Sequence, residues 1–248
     1  MSLDERRLEE LSLNSSAPPG QLLYDGWLLR LQPGKAKRAR SVNAVFESRL
    51  SLDEKIAYCE RLYGQAGLPA LFRITPFAQP PGLDAELERR GYGQFDTTAV
   101  ESVELLAPDC GANGARALPL AEWVEAVGEL RGSAPDLRAG HRARLEACAL
   151  PLRPLVLEEG GRVVATGLTI IEDGAAGLFD IVTDQAHRRR GLARRLVAAL
   201  LVQAWEAGAR EAYLQVERDN APARALYRQF GFTERYLYWY RGREGERH

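Results

Sequence analysis

The sequence predicts a mixed α/β fold built in two parts, and three observations predict it. Apolar runs of strand length alternate with longer stretches of helical periodicity, the pattern of sheets layered with helices. A run of Pro, Asn-Gly and small residues from Ala107 to Gly114 separates two such series, dividing the chain into 1–107 and 116–248. Finally, 248 residues with 46% hydrophobic and 27% charged side chains suit a globular chain with a sizeable core. The same numbers exclude disordered, collagen-like and membrane-spanning classes.

The opening residues Met1 to Arg7 are simply polar and lack the features of a secretory signal. In the first half, Gly26 to Leu31 and Arg40 to Phe46 read as strands. Ser51-Leu52-Asp53-Glu54 opens a helix with a capping box, running to about Ala66. Leu71 to Thr75 is a strand, Leu83 to Arg90 a short helix stopped by Gly91, and Phe95 to Leu105 a further strand. In the second half, Leu120 to Leu130 and Arg138 to Ala149 have helical spacing. Leu155 to Glu158 and Val163 to Ile171 are strands joined by the hairpin signal Gly160-Gly161, and Gly177 to Thr183 follows them. Gly191 to Ala207 is an amphipathic helix, with Leu192, Leu196 and Leu200 on one face and Gly208 as its stop. Ala212 to Glu217 is a strand, Ala221 to Phe230 a helix and Glu234 to Arg241 the last strand. The order β-α-α-β-β-β-α-β-α-β is a mixed α/β layer.

Charge and cysteine content narrow the function classes. A net charge of −1 argues against wholesale nucleic-acid binding. No segment is apolar for long enough to span a bilayer, Leu196 to Trp205 being the most apolar. Cys59, Cys110 and Cys148 are odd in number and widely spaced, so no disulfide frame or zinc site is expected. The expectation is a reduced, cytoplasmic, metal-free protein that binds neither nucleic acid nor membrane; a homodimer stays open.

The informative stretch is Thr183-Asp184-Gln185-Ala186-His187-Arg188-Arg189-Arg190-Gly191-Leu192-Ala193. A strand ends, a basic loop turns and a long helix begins at a glycine. Free N–H groups and a partial positive dipole at a helix start favour an anion. Five arginines lie between residues 184 and 195 against the single acid Asp184. Taken alone, the segment reads equally as a solvated basic turn. Walker, dinucleotide, HExxH and GxSxG motifs are absent, which removes the usual ATPase, dehydrogenase, zinc and serine hydrolase readings.

The second segment is Asn220-Ala221-Pro222-Ala223-Arg224-Ala225-Leu226-Tyr227, then Gly231-Phe232. Asn220 suits an N-cap and Pro222 the first turn. Residues 220, 223, 224 and 227 share one helical face, spanning roughly 10 Å. A capped helix with a surface tyrosine is the plainer alternative.

Together, Arg188-x-x-Gly191-x-Ala193 and Asn220-x-x-Ala223-x-x-Leu226-Tyr227-x-x-x-Gly231-Phe232 resemble the GCN5-related N-acetyltransferases (GNAT) over roughly residues 116–241. The resemblance implies the GNAT acyl-CoA N-acyltransferase fold and acetyl-CoA as cosubstrate. Backbone amides of Arg188, Arg189, Arg190, Gly191, Leu192 and Ala193 would hold the pyrophosphate. Ile181, Val182 and Thr183 would pair with the pantetheine arm, and Asn220 and Ala223 would line it. Tyr227 would stand beside the thioester sulfur. Gln185 stands where the family often has proline, and Ala193 where glycine is commoner.

The chemistry sets its own demands. An alkyl ammonium of pKa about 10.4 is neutral about once in 2,500 molecules at pH 7, a cost of roughly 4–5 kcal/mol. A base, direct or through water, must therefore act. Asp180, unusual inside an apolar strand, and Glu217 at the end of the next strand are candidates; each also reads as a structural acid. His187 reads as a loop residue. Tyr236, Tyr238 and Tyr240 alternate with Leu237 and Trp239, the pattern of sheet packing, though one tyrosine could reach an acceptor.

The whole chain also resembles two-part bacterial acetyltransferases in which a strand like Asp25-Gly26-Trp27-Leu28-Leu29-Arg30 opens a degenerate N-terminal half. Leu83 to Tyr92 echoes Ala223 to Phe232, each a short helix, a glycine stop, an aromatic and a strand; coincidence would explain the echo too. Val45 to Ser51, where a first phosphate loop would fall, has no glycine. The first half is thus expected to cover or shape the acceptor cleft, with Arg40, Asn43 and Arg73 as candidate polar contacts; each also reads as a structural hydrogen-bonder. The leading expectation is acetyl transfer to a primary amine of a small molecule or peptide, by direct attack in a ternary complex. A non-catalytic acyl-CoA sensor and a protein N-terminal or lysine acetyltransferase are the alternatives.

Overall fold

The computed structural model describes residues 3–34, 36–108 and 114–245. Most of the expected linker, residues 109–113, lies outside them, as does Cys110. In chain order the elements are α1 (Glu5–Ser15), β1 (Gln21–Tyr24), β2 (Trp27–Arg30), β3 (Val42–Ala44), α2 (Leu52–Gln65), β4 (Phe72–Ile74), α3 (Leu83–Arg89) and β5 (Gly93–Glu104). Then come β6 (Ala115–Ala117), α4 (Leu120–Arg131), α5 (Pro135–Glu146), β7 (Leu152–Glu159), β8 (Arg162–Glu172) and β9 (Ala175–Thr183). The chain closes with α6 (Leu192–Glu206), β10 (Glu211–Glu217), α7 (Ala221–Arg228) and β11 (Thr233–Gly242). The mixed α/β class is as the sequence predicts, and so is the order of elements from α4 to β11; the short strand β6 was not expected.

The chain forms two compact units. The larger gathers the described residues of Met1–Ser15, Glu101–Gln215 and Pro222–Thr233; the smaller gathers those of Ser16–Val100, Val216–Ala221 and Glu234–His248. The units therefore do not coincide with the sequence halves: α1 belongs with the second half's elements and most of β11 with the first half's.

In the larger unit the strand order is β10-β9-β8-β7-β6. The pairs β6/β7, β7/β8 and β8/β9 are antiparallel, while β9/β10 is parallel. Gly160 and Gly161, at φ +57° and +76°, make the expected tight turn between β7 and β8. β7 begins three residues earlier than its apolar run suggests. Pro154 is tolerated there because β6 pairs only with Leu155, Val156 and Leu157. Helix α5 starts at Pro135 rather than Arg138, since proline's fixed φ suits a first turn.

Trp123, Val124, Val127 and Leu145 of α4 and α5 pack with Val156, Leu168 and Ile170 of the sheet. On α6, Leu192, Leu196 and Leu200 are buried, as their spacing predicts. Gly167 on β8 lets α6 come close: a Cβ there would lie 2.7 Å from Leu200 Cδ1 and 3.2 Å from Leu196 Cδ2. Helix α1 was not foreseen, because three leucines among polar residues give it only a thin apolar stripe; Leu8, Leu11 and Leu13 are buried. Its Ser15 hydroxyl meets the Tyr213 hydroxyl of β10 at 2.8 Å, and Tyr213 donates to the Leu11 carbonyl at 3.0 Å.

In the smaller unit the order is β1-β2-β3-β4-β11, with β3/β4 parallel and the other pairs antiparallel. The capping box of α2 forms: Ser51 Oγ accepts from the Glu54 N–H at 3.3 Å, and Glu54 Oε2 accepts from the Ser51 N–H at 3.0 Å. The Asp25-Gly26-Trp27 segment locks a hairpin that includes the unforeseen β1. Asp25 accepts the Arg49 and Leu50 amides, and Trp27 Nε1 donates to the Gln79 carbonyl at 2.7 Å. Lys55 Nζ stacks 4.0 Å from the centre of the Trp27 ring. Among the described residues no helix is long and apolar enough to cross a membrane.

Candidate active site

The site begins where β9 loses a partner. Its parallel register with β10 runs from Ala175↔Glu211 to Leu178↔Leu214 and ends there. On the other side, pairing with β8 continues through Phe179↔Leu168, Val182↔Thr166 and Thr183↔Ala165. Between the first two of these pairs, Asp180 and Ile181 both oppose Gly167, so β9 is bulged. Asp180 sits at φ +50°, a left-handed conformation that Asp tolerates better than most residues. The half-buried end of β9, Ile181 to Thr183, thus offers backbone groups that β10 does not use.

Beyond β9, Gln185–His187 form one 3₁₀ turn. The Asp184 carboxylate binds His187 Nδ1. That hydrogen bond, outweighing partial burial and helped by the Ala186 and Gln185 amides, holds the Asp184 carboxyl below its ordinary range. Arg189 (φ +61°) and Gly191 (φ +76°) both take left-handed conformations, and α6 begins without a side-chain cap. A ligand at this helix start would meet its free N–H groups. A Cβ on Gly191 would have nothing within 4 Å, so the backbone there is approachable. A cleft of roughly 330 Å³ opens over this turn, lined by Thr183, His187, Arg188, Arg189, Gly191, Leu192, Ala193 and Arg194, with Leu226 and Gln229 closing it. Leu226 of the second sequence segment therefore faces the same cavity as the first segment, whereas Asn220, Ala223 and Tyr227 do not line it. The Arg190 side chain turns away to Glu159 at 2.9 Å.

Helix α7 follows a turn in which the Asn220 N–H donates to the Glu217 carbonyl at 3.0 Å. Ala223, Arg224 and Tyr227 face inward, while Ala221, Pro222 and Ala225 are exposed. Tyr227 is 8% exposed, with its ring 6.0 Å from Phe232. Burial first, and the charge of Glu101 second, push its phenol up to about 12. Glu101 on β5 is itself buried and accepts a hydrogen bond from Arg224 Nε at 2.8 Å. Sequence reasoning missed Glu101, since a lone acid in a strand gives no local signal.

The two candidate bases differ. Asp180 Oδ1 accepts from Arg131 at 2.8 Å, and Oδ2 lies 3.1 Å from His141 Nε2. Burial would raise its pKa, but the His141 hydrogen bond and the charges of Arg131, His141 and Arg144 prevail and hold it far below the carboxylate range. An acid this strongly held in its ionised form is a poor proton acceptor. Glu217 lies exposed at the end of β10. In the smaller unit Tyr236, Tyr238 and Tyr240 are buried, with Tyr238 under the Arg73 guanidinium at 3.8 Å and 5.8 Å from the Tyr240 ring. Arg40, Asn43 and Arg73 are buried as well, and Asn43 donates to the Ser41 carbonyl. No group of acids, histidines and cysteines among the described residues could hold a metal ion.

A mixed sheet with a bulged, parted strand thus leads into an uncapped, arginine-rich helix start. Residues 120–232 match the model of the acetyltransferase (GNAT) family. The chain is 28% identical to the uncharacterized N-acetyltransferase YobR of Bacillus subtilis over 240 residues, covering 93% of this chain and 95% of that one. A 78-residue segment is 35% identical to the ribosomal protein bS18-alanine N-acetyltransferase of Escherichia coli, covering 32% of this chain and 53% of that protein. A GCN5-related N-acetyltransferase from Kribbella flavida shares the fold at a TM-score of 0.69 and 18% identity, covering 98% of this chain and 97% of that one. Residues 120–232 carry a GNAT-family domain, and the chain is similar to an N-acetyltransferase over most of its length.

Proposed function

We propose that the protein is an acetyl-CoA-dependent N-acetyltransferase acting on a primary amine of a small molecule or peptide, in a ternary complex. The cleft carries this reading: an uncapped helix start with Arg188, Arg189 and Arg194 on one side, α7 on the other, and the free end of β9 leading into it. Those features fit a pyrophosphate-bearing cosubstrate. The amides of Arg188 to Ala193 would take the phosphates, the backbone of Ile181 to Thr183 and Asn220 the pantetheine arm, and Ala223 the wall beside it. Bound there, acetyl-CoA supplies an activated acetyl group.

The protein's own residues then have distinct tasks. A backbone N–H near Val182 can stabilise charge growing on the carbonyl oxygen. Tyr227, with its phenol held protonated by burial, can give a proton to the departing sulfur. The strongly ionised state of Asp180 argues for a role other than direct proton acceptor, and exposed Glu217 keeps only solvent-mediated chemistry open. The N-terminal half is read as a degenerate GNAT-like copy, since Val45 to Ser51 has no glycine from which to build a phosphate loop.

A second reading, acetylation of a peptide N-terminus, is favoured by the similarity to the bS18-alanine N-acetyltransferase. One experiment addresses both: incubation with acetyl-CoA and a panel of metabolite amines, lysine peptides and Ala-initiated peptides, following free thiol. Release with a metabolite or short peptide supports the first reading. Release confined to Ala-initiated peptides supports the second. Tight coenzyme-A binding without turnover on any amine means an acyl-CoA sensor and overturns both.

A further inference from the structure

The acceptor ammonium has to lose a proton, and neither Asp180 nor Glu217 is well placed to take it. The bulge in β9 points to another group. With Asp180 at φ +50°, its carboxylate meets α4 and α5, where Arg131 occupies Oδ1 and His141 Nε2 approaches Oδ2 at 3.1 Å. The His141 ring is fixed on a second side by Trp123, 6.1 Å between ring centres at 66°. Trp123 is anchored in turn by its indole N–H on the Leu155 carbonyl at 3.2 Å. The ring is therefore held in one orientation yet keeps 17% of its side-chain surface exposed. It is tethered to the residue immediately before Ile181 to Thr183, the strand end assigned above to the pantetheine arm.

We propose that His141 is the general base for the acceptor amine, with Asp180 as the positioning residue that orients its ring. The inference rests on the acetyltransferase reading. Nε2 faces the Asp180 carboxylate at 3.1 Å, and a neutral imidazole that keeps its proton on that side carries its lone pair on Nδ1. The charged groups that act on the Asp180 carboxylate beside the ring are Arg131 on α4 and Arg144 on α5. Arg138 and Arg142 of the same helix are paired with Glu125 and Glu146.

The protons balance as follows. Nδ1 takes one proton from R–NH3+, and the freed lone pair forms the C–N bond to the thioester carbonyl carbon. The C–S bond breaks with its electrons on sulfur. The nitrogen loses a second proton to solvent, His141 returns its proton to solvent, and the thiolate gains one from Tyr227, which solvent restores. The sum is R–NH3+ plus acetyl thioester giving acetamide, thiol and one proton.

The test uses an amine that the wild-type protein acetylates. His141→Gln keeps an amide donor for Asp180 but has no base. It should lower kcat by about 10²-fold or more, abolish the acidic limb of the pH–rate profile and leave coenzyme-A affinity unchanged. Added imidazole should restore part of the rate to His141→Ala. Asp180→Asn should lower kcat and displace the same limb. If His141→Gln keeps the wild-type rate and pH profile, His141 is not the base, although the protein remains an acetyltransferase. If the wild type acetylates no amine, the acetyltransferase reading falls and this proposal with it. Nitrogen-15 spectra of the imidazoles, of which the chain has three, give an activity-free readout. A His141 tautomer protonated on Nδ1 would overturn the proposal.

Discussion

Tyr227 illustrates how a single residue's surroundings decide its chemistry. An exposed phenol titrates near 10, whereas burial and the neighbouring charge of Glu101 raise this one to about 12. It remains a proton donor throughout the range in which amines are acetylated. Tyr227→Phe keeps the ring against Phe232 and deletes only the donor. It should therefore lower kcat by about 10²-fold while coenzyme-A affinity, measured by calorimetry, stays nearly constant; an equal kcat would remove the phenol from the chemistry. Its place at the end of the Asn220-x-x-Ala223-x-x-Leu226-Tyr227 face was legible in the sequence. The partner acid was not, because Glu101 lies more than a hundred residues away and only sheet formation brings it near.

At the scale of elements, the sequence was most legible where local physics dominates. The Ser51 box, the Gly160-Gly161 turn and the leucine stripe of α6 are each specified within a few residues, and each forms. Elements whose stability comes from docking were missed or shifted. Helix α1 has a thin apolar stripe and depends on burial of Leu8 and Leu11, and β1 depends on pairing with β2. Gly167 shows the same dependence at an interface, because nothing local reveals that α6 will lie on it. Gly167→Ala would place a methyl 2.7 Å from Leu200 Cδ1. The overpacking should destabilise the fold by about 1–3 kcal/mol, read as a lower urea midpoint. An unchanged midpoint would mean that α6 shifts without strain.

For the whole molecule, the ion pairs give a definite pH response. Asp25, Asp84, Asp180 and Asp184 all have lowered pKa values, set chiefly by backbone amides, by Arg241, by His141 with the neighbouring arginines against burial, and by His187, respectively. A carboxyl lowered on folding stabilises the fold above its unfolded pKa, and that contribution disappears as pH falls toward the folded value. Stability measured by thermal melting should therefore decline below about pH 4. The Asp180→Asn protein should be less stable at neutral pH, where Arg131 and His141 lose the negative charge and one of the two oxygens they face, and should show a shallower acid decline. Parallel pH curves for the two proteins would show that Asp180 does not contribute.

The sequence by itself determined the mixed α/β class, the order of elements from α4 onward, and a glycine-started, arginine-rich helix followed by a strand and a second short helix. These are local properties: periodicity, capping, turn conformation and charge density act over a few residues. Tertiary structure alone decided that α1 joins the larger unit and most of β11 the smaller, and that β9 bulges and parts from β10. It also decided that Arg190 serves Glu159 rather than the cleft, and that Asp180 holds His141. Each depends on pairing or burial between residues far apart in the chain, and the strength of such contacts is set by the shared environment that folding creates.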